Sequence, residues 1–274
     1  MKFTYYGTAA GEGVPGVFCD CPVCHEAVLR GGKDLRSRHQ ALVNEDLLID
    51  LPPDTFMHRI VYGLDLTKVR ALIFTHSHAD HLLQNEMESM QESAAHTMQR
   101  IPVFGNEAVW QRIRTVFVGK DISKWLFDFH VIHANETFEA SGYTITALRA
   151  HHAPTEEALF YLIQRDGKSI LFAHDTGVFD EDNFENIAKH ASHLDFVSLD
   201  CTMQSISTRS YHMGLKENAE MRAELIKRGL ADESTLFYVS HFSHNGLWLH
   251  EDMERECEKL GGLHTAYDTL QLEF

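Results

Sequence analysis

The sequence predicts an α/β chain in two halves, each passing from strands into helices. Three observations carry this. Short apolar runs of strand length recur along the whole chain, as in Ala71-Leu72-Ile73-Phe74, Ser169-Ile170-Leu171-Phe172-Ala173 and Thr235-Leu236-Phe237-Tyr238-Val239. Longer mixed stretches with helix-forming residues separate them, most regularly in the final third. Hydrophobic residues make up 44% of 274 positions, enough for a sizeable core, and no repeat or low-complexity tract interrupts them. Periodicity alone supports mixed α and β and nothing finer.

In order, Met1 to Gly7 reads as a first strand, followed by a Gly-rich loop and the cluster Cys19-Asp20-Cys21-Pro22-Val23-Cys24. Strands are expected around 41–43 and 47–49, a helix from about Asp54 to Tyr62, and a strand at 71–74. Residues Leu82 to Arg100 favour helix, with Met87, Met90 and Ala94 on one packed face. A short strand at 101–104 and a helix from Glu107 to Val118 follow. Strands dominate from Phe127 to Phe172, with a turn at Asp166-Gly167. The last third alternates: helix 180–190, strand 195–199, helix 216–229, strand 235–239, helix 250–260 and strand 265–273.

Chemistry concentrates where these strands end. The run 71–74 leads into Thr75-His76-Ser77-His78-Ala79-Asp80-His81, three imidazoles and a carboxylate in six residues, a set able to converge on a metal. A His-rich surface loop would require neither this spacing nor a preceding buried strand. Further candidates follow other strand-like runs: His151-His152 after 143–148, His174-Asp175 after 169–173, and Ser240-His241 after 235–239.

Composition excludes several classes. The formal net charge of -16 repels polyanions, arguing against a nucleic-acid partner, although divalent ions would reverse the local potential for a small phosphorylated substrate. No apolar run has the length to cross a bilayer, so no membrane association is expected. The amino terminus has no signal-peptide core, which makes the cytoplasm the default location. Clustered cysteines without a secretion signal indicate metal rather than disulfides, whereas Cys201 and Cys257 read as packed thiols.

The H-x-H-x-D-H motif and the ligand candidates behind it resemble the metallo-β-lactamase superfamily over most of the chain. The resemblance implies one domain, residues 1–274, folded as a four-layered αβ/βα sandwich with a metal pair at the sheet edge between the halves. It assigns His76, His78 and a histidine at 151–152 to a first ion, and Asp80, His81 and His241 to a second, with Asp175 bridging. Ungapped alignment from Gly142 selects His152. Zinc, manganese, iron and nickel all suit such mixed nitrogen and oxygen ligands.

Cys19, Cys21 and Cys24 form an incomplete tetrahedral zinc site. If His241 is a catalytic ligand, His244 is offset by three residues and can turn toward the cysteines. This pairing, with the opening Gly7-Thr8-Ala9-Ala10-Gly11-Glu12-Gly13-Val14-Pro15, resembles one branch of the superfamily: the phosphodiesterase of the carbon–phosphorus lyase pathway, which acts on a ribosyl cyclic phosphate. That resemblance implies a structural zinc held by three cysteines and His244, and a small phosphodiester substrate, cyclic ones included. It also implies a further active-site histidine at His212, after Leu199-Asp200-Cys201-Thr202. The segment from His152 to Tyr161 looks longer than in that branch. Hydrolysis would use water activated between two divalent ions, with His212 as proton donor and Asp80 helping to orient the water. Other hydrolases of this fold (lactamase, thioesterase, tRNA-processing ribonuclease) and a pyrroloquinoline-quinone-biosynthesis-like protein are the alternatives. A homodimer is compatible with every one of these readings.

Overall fold

The computed structural model describes residues 1–274. Its elements, in order, are β1 (Lys2–Gly7), α1 (Pro22–Arg30), β2 (Gln40–Val43), β3 (Leu47–Ile49), α2 (Thr55–Val61), β4 (Ala71–Ile73), β5 (Ile101–Gly105), α3 (Glu107–Arg114), β6 (Phe127–Val131), β7 (Thr137–Ala140), β8 (Tyr143–Arg149), β9 (Leu159–Arg165), β10 (Lys168–Ala173), α4 (Glu181–His190), β11 (Phe196–Asp200), α5 (Leu215–Lys227), β12 (Leu236–Ser240), α6 (His250–Leu260), β13 (His264–Thr265) and β14 (Gln271–Glu273).

The strands form two seven-stranded sheets, ordered β14-β1-β2-β3-β4-β5-β6 and β13-β12-β11-β10-β9-β8-β7. Side chains alternate faces along a strand, so each apolar run divides between two cores. In β3, Leu47 and Ile49 face the opposite sheet while Leu48 faces outward; in β9, Leu159, Tyr161 and Ile163 face inward while Phe160 and Leu162 face outward. The inner core joins both sheets. One outer core lies under α3 and its connecting segments, the other under α4, α5 and α6. This is the four-layered αβ/βα sandwich of the metallo-β-lactamase fold. Burial of both sheet faces explains why the strands read as unbroken apolar runs.

The topology also sets where loops can meet. Strands β10, β11 and β12 are parallel, and β8 runs in the same direction because two antiparallel pairings separate it from β10. Their C-terminal ends therefore share one edge. In the other sheet β3 and β4 are parallel, which brings Asp50 beside the segment 75–81. Leu159 donates its N–H to the Thr75 carbonyl at 2.9 Å, and the Tyr161 hydroxyl donates to the Phe74 carbonyl at 2.5 Å, fixing the two edges together.

Three local expectations fail. Residues 82–100 contain one 3₁₀ stretch, Gln84–Ser89, and no α-helix. The backbone there bonds to distant partners instead: Leu83 N to Leu51 O at 2.8 Å and Leu126 N to Met90 O at 2.7 Å. Met87 is buried, but Ala94 is exposed and shares no helical face with it. The cysteine cluster opens a helix that the residue pattern did not indicate, with Pro22 at its first turn, where the missing N–H costs nothing. Residues 265–273 form two short strands in different sheets, because Thr269 takes a left-handed φ of 72° and turns the chain from β13 toward β14. No helix is long and apolar enough to cross a membrane.

Candidate metal centre

Five strand-to-loop junctions converge on one small volume. Four sets of ligand atoms each lie within 4.8 Å of one another: His76, His78 and His152; His76, His81 and Asp175; Asp80, His81 and His241; and Asp175, Asp200, His212 and His241. Asp175 is central. Its Oδ2 lies 2.8 Å from His81 Nε2 and 3.0 Å from His241 Nε2, and its Oδ1 lies 3.5 Å from His152 Nε2. His152 rather than His151 turns inward; His151 Nε2 points away to Asp180 at 2.9 Å.

The outward-facing hydrogen bonds determine which ring nitrogens carry lone pairs. His81 Nδ1 donates to the buried Asp50 carboxylate at 2.7 Å. His241 Nδ1 donates to Thr202 Oγ1 at 2.8 Å, and that hydroxyl donates onward to Asp200 at 2.9 Å. His152 Nδ1 donates to the Tyr211 carbonyl at 3.2 Å. His76 Nδ1 faces Thr75 Oγ1 at 3.0 Å, and Thr75 bonds to Asp50. In each neutral ring the other nitrogen is then an acceptor aimed at the centre. As a result His81 Nε2 and His241 Nε2 face each other at 3.3 Å, and His152 Nε2 faces His78 Nδ1 at 3.1 Å. His76 Nε2 and Asp175 Oδ2 are buried with no hydrogen-bond partner. Such orphans are costly, and convergent acceptors without donors fit a bound cation.

Charge tells the same story. Asp50, Asp80, Asp175 and Asp200 crowd the centre. Burial pushes the Asp175 carboxyl up, but His241, His81 and His152 outweigh it and hold it well below the carboxylate range. Asp80 is likewise lowered, burial being outweighed by His81. Burial alone would depress His81, yet Asp175, Asp80 and Asp50 raise it well above an ordinary imidazole.

His212 stands at the rim. Its Nδ1 lies 3.1 Å from Asp200 Oδ2 and 3.7 Å from Asp175 Oδ1, and its ring stacks on His241 at 6.0 Å. Burial opposes its charge, but Asp200 prevails and lifts it to about 9.

The cysteine set assembles separately. Cys19, Cys21 and Cys24 Sγ lie 3.4, 3.4 and 3.2 Å from His244 Nδ1. A tetrahedral zinc with Zn–S near 2.3 Å and Zn–N near 2.0–2.1 Å has an S···N edge of about 3.5 Å, so the four atoms fit that ion. The Cys24 backbone N–H lowers Cys21 to about 6, and Cys21 caps the N-terminus of α1, where the helix dipole also favours thiolate.

Sequence reasoning passed over Asp50 and Thr75, which orient the ligands, and took Asp200 only as part of a similar stretch. Asp50 and Asp200 end the apolar runs 47–49 and 196–199, the same signal that marked His76. His39, which has no supporting context in the sequence, is fully buried, packs edge-on against His174 at 4.5 Å, and has both ring nitrogens unpartnered. Burial holds His39 well below its usual value. His174 bonds to Ser198 at 2.7 Å and lies behind the ligands.

Residues 46–231 match the family model of the beta-lactamase superfamily domain. The fold is similar to a diphosphatase from the PhnP family (24% identity, covering 100% of this chain and 97% of that one, TM-score 0.75). It is also similar to zinc-bound PqqB from Methylobacterium extorquens (18% identity, 100% of both chains, TM-score 0.70) and to the short form of human tRNase Z (14%, 100% and 99%, TM-score 0.66). No curated protein matches the chain.

Proposed function

The chain belongs to the beta-lactamase superfamily, and from that premise we propose that it is a metal-dependent hydrolase acting on a small phosphodiester at a two-ion centre. His76, His78 and His152 would hold one ion, Asp80, His81 and His241 the other, with Asp175 between them. Bound there, divalent ions would activate water and neutralise charge on the phosphoryl oxygens.

The observation that carries this reading is His212. Its Nδ1 bonds to Asp200 at 3.1 Å, which fixes the ring and leaves Nε2 to meet a leaving group. Asp200 favours the protonated imidazole, so His212 enters the reaction as an acid, donating its proton to the departing alkoxide. Asp80 would accept a hydrogen bond from the attacking water and help to orient it. Asp50 and the Thr202–Asp200 pair keep His81 and His241 oriented. The likeness to a PhnP-family diphosphatase supports phosphorus chemistry, and the net charge of -16 weighs against a tRNA substrate.

A metal-by-substrate screen tests the proposal. Protein refilled with manganese, zinc, iron or nickel should hydrolyse phosphodiesters, including a small cyclic one, and leave a cephalosporin and a glutathione thioester intact. Turnover of the thioester or the lactam without turnover of any diester would overturn it.

A further inference from the structure

Gly11 and Glu12 belong to neither ligand set, yet this dipeptide touches both. At one end Gly11 lies flat on Asp80: a Cβ placed there would stand 3.3 Å from both Cγ and Oδ2 of that carboxylate. A side chain here would push the Asp80 carboxylate back by a few tenths of an ångström, so glycine lets the loop approach while Asp80 holds its place. At the other end the Glu12 carboxylate accepts a hydrogen bond from Ser243 Oγ and another from Asn245 Nδ2 at 3.4 Å, and it lies 3.5 Å from His244 Nε2. His244 presents its other nitrogen to the three thiols. A carboxylate behind a ligating imidazole orients the ring and raises its basicity.

The dipeptide is also held on both flanks. The Arg38 guanidinium donates Nε–H to the Gly11 carbonyl at 2.9 Å and is itself paired with Asp54. Ala10 N donates to Phe242 O at 2.9 Å, and Phe242 N to Thr8 O at 2.8 Å, tying the loop to the segment that carries His241 and His244. On the far side Gly16 N donates to Cys24 Sγ at 3.3 Å. The contacts thus run without a break from the cysteine loop through Glu12 and Gly11 to Asp80.

We propose that Gly11 and Glu12 are positioning residues, a strut through which filling the cysteine site tightens metal binding at the Asp80–His81–His241 end of the centre. This rests on both ligand sets being metal sites and not on the choice of substrate. Coupling between two sites is reciprocal, so a metal in the centre tightens the cysteine site by the same factor.

Manganese titrations of the full-length protein, read by electron paramagnetic resonance, test the strut without any turnover measurement. With zinc at the cysteines the weaker manganese step should be tighter than in Cys21→Ser, by roughly 5- to 150-fold if the coupling is of ordinary size. Glu12→Ala should weaken manganese similarly without touching a thiol, and decides the matter if Cys21→Ser does not fold. Glu12→Gln keeps an acceptor for Ser243 and Asn245 and should restore most of the affinity. Gly11→Ala should weaken manganese to the same extent with or without cysteine-site zinc, while the thiolate-to-cobalt absorption of a cobalt-filled cysteine site stays intact. Wild-type manganese affinity in both Glu12→Ala and Cys21→Ser, or zinc dependence surviving in Gly11→Ala, would overturn the strut. Failure to bind any metal at either set overturns the metal reading itself, and the strut with it.

Discussion

The two ligand sets differ in how the chain builds them. The histidine–aspartate centre draws its ligands from four junctions spread from His76 to His241 and is backed by buried carboxylates, Asp50 directly and Asp200 through Thr202. The cysteine set takes three ligands from a six-residue stretch and one from His244, and is backed by a helix N-terminus, the Gly16 N–H and the lone Glu12 carboxylate. The first is held by a folded core that already exists around it. The second gathers a loop and a short helix with little apolar packing of their own, over a small cluster of Ala9, Val14, Ala27 and Leu249 with Val23 against it. The centre should therefore lose chemistry when altered, and the cysteine set should lose structure.

The largest expected effect breaks the centre. Asp175 reaches His81, His241 and His152, so Asp175→Ala should release metal and lower activity to background, a loss of at least about 10⁴-fold if both ions depend on it. The fold should survive, since the surrounding cores do not include it. Elemental analysis alongside circular dichroism checks both halves; retention of two ions would remove Asp175 from the bridging role.

Altering the cysteine set should do the opposite. Structural zinc in comparable small sites is linked to apparent binding energies of about 10–16 kcal/mol, of which a large already-folded domain senses only part. Cys21→Ser and His244→Ala should lower the melting temperature and zinc content by more than they lower turnover per folded molecule. Equal stability and zinc loading in either variant would show that the set holds no structural ion.

The same contrast governs what the sequence could reveal. The segment 76–81 was legible because its ligands are packed into one turn after a buried strand, and His244 because its offset from His241 points it elsewhere. The α1 helix was hidden because its N-terminal residues are themselves the cysteine motif. Residues 82–100 were misread because their backbone partners, Leu51 and Leu126, lie far along the chain and leave no local period. The split between β13 and β14 is set by tertiary anchors: Asp268 accepts hydrogen bonds from Thr8 and Ser37, at 2.6 and 2.5 Å between side-chain oxygens. Asp50 and Asp200 carried a local signal, an acid after an apolar strand, but that signal does not separate a ligand from the residue that orients one.

A smaller effect separates His212 from the ligands. His212→Ala should keep both ions and slow alkyl phosphodiester hydrolysis by roughly 10²–10⁴-fold, the usual range for a general acid. The loss should shrink for p-nitrophenyl esters, whose leaving group scarcely needs a proton. Equal losses on both substrates would exclude the acid role, and loss of an ion would make His212 a ligand.

The smallest effect concerns a histidine that serves the fold alone, and it sharpens the contrast with the ligands. His58 on α2 is fully buried, with Nδ1 2.6 Å from Gln40 Oε1 and Nε2 2.8 Å from Ser37 Oγ. Burial lowers it to about 4, against a small opposing pull from Asp54. The unfolded chain, with an ordinary imidazole near 6.5, therefore takes up the proton first as pH falls. The contribution of neutral His58 is fully present above pH 6.5 and is lost progressively as pH drops toward 4, on the order of 3 kcal/mol at most. His58→Gln removes the titration but keeps hydrogen-bonding capacity. The stability of metal-saturated wild type relative to the variant, read from urea midpoints, should therefore fall steadily as pH drops from 7 to 4.5. Metal release affects both proteins alike and cancels in that difference. A gap that stays constant across this range would show that His58 does not titrate differently on unfolding.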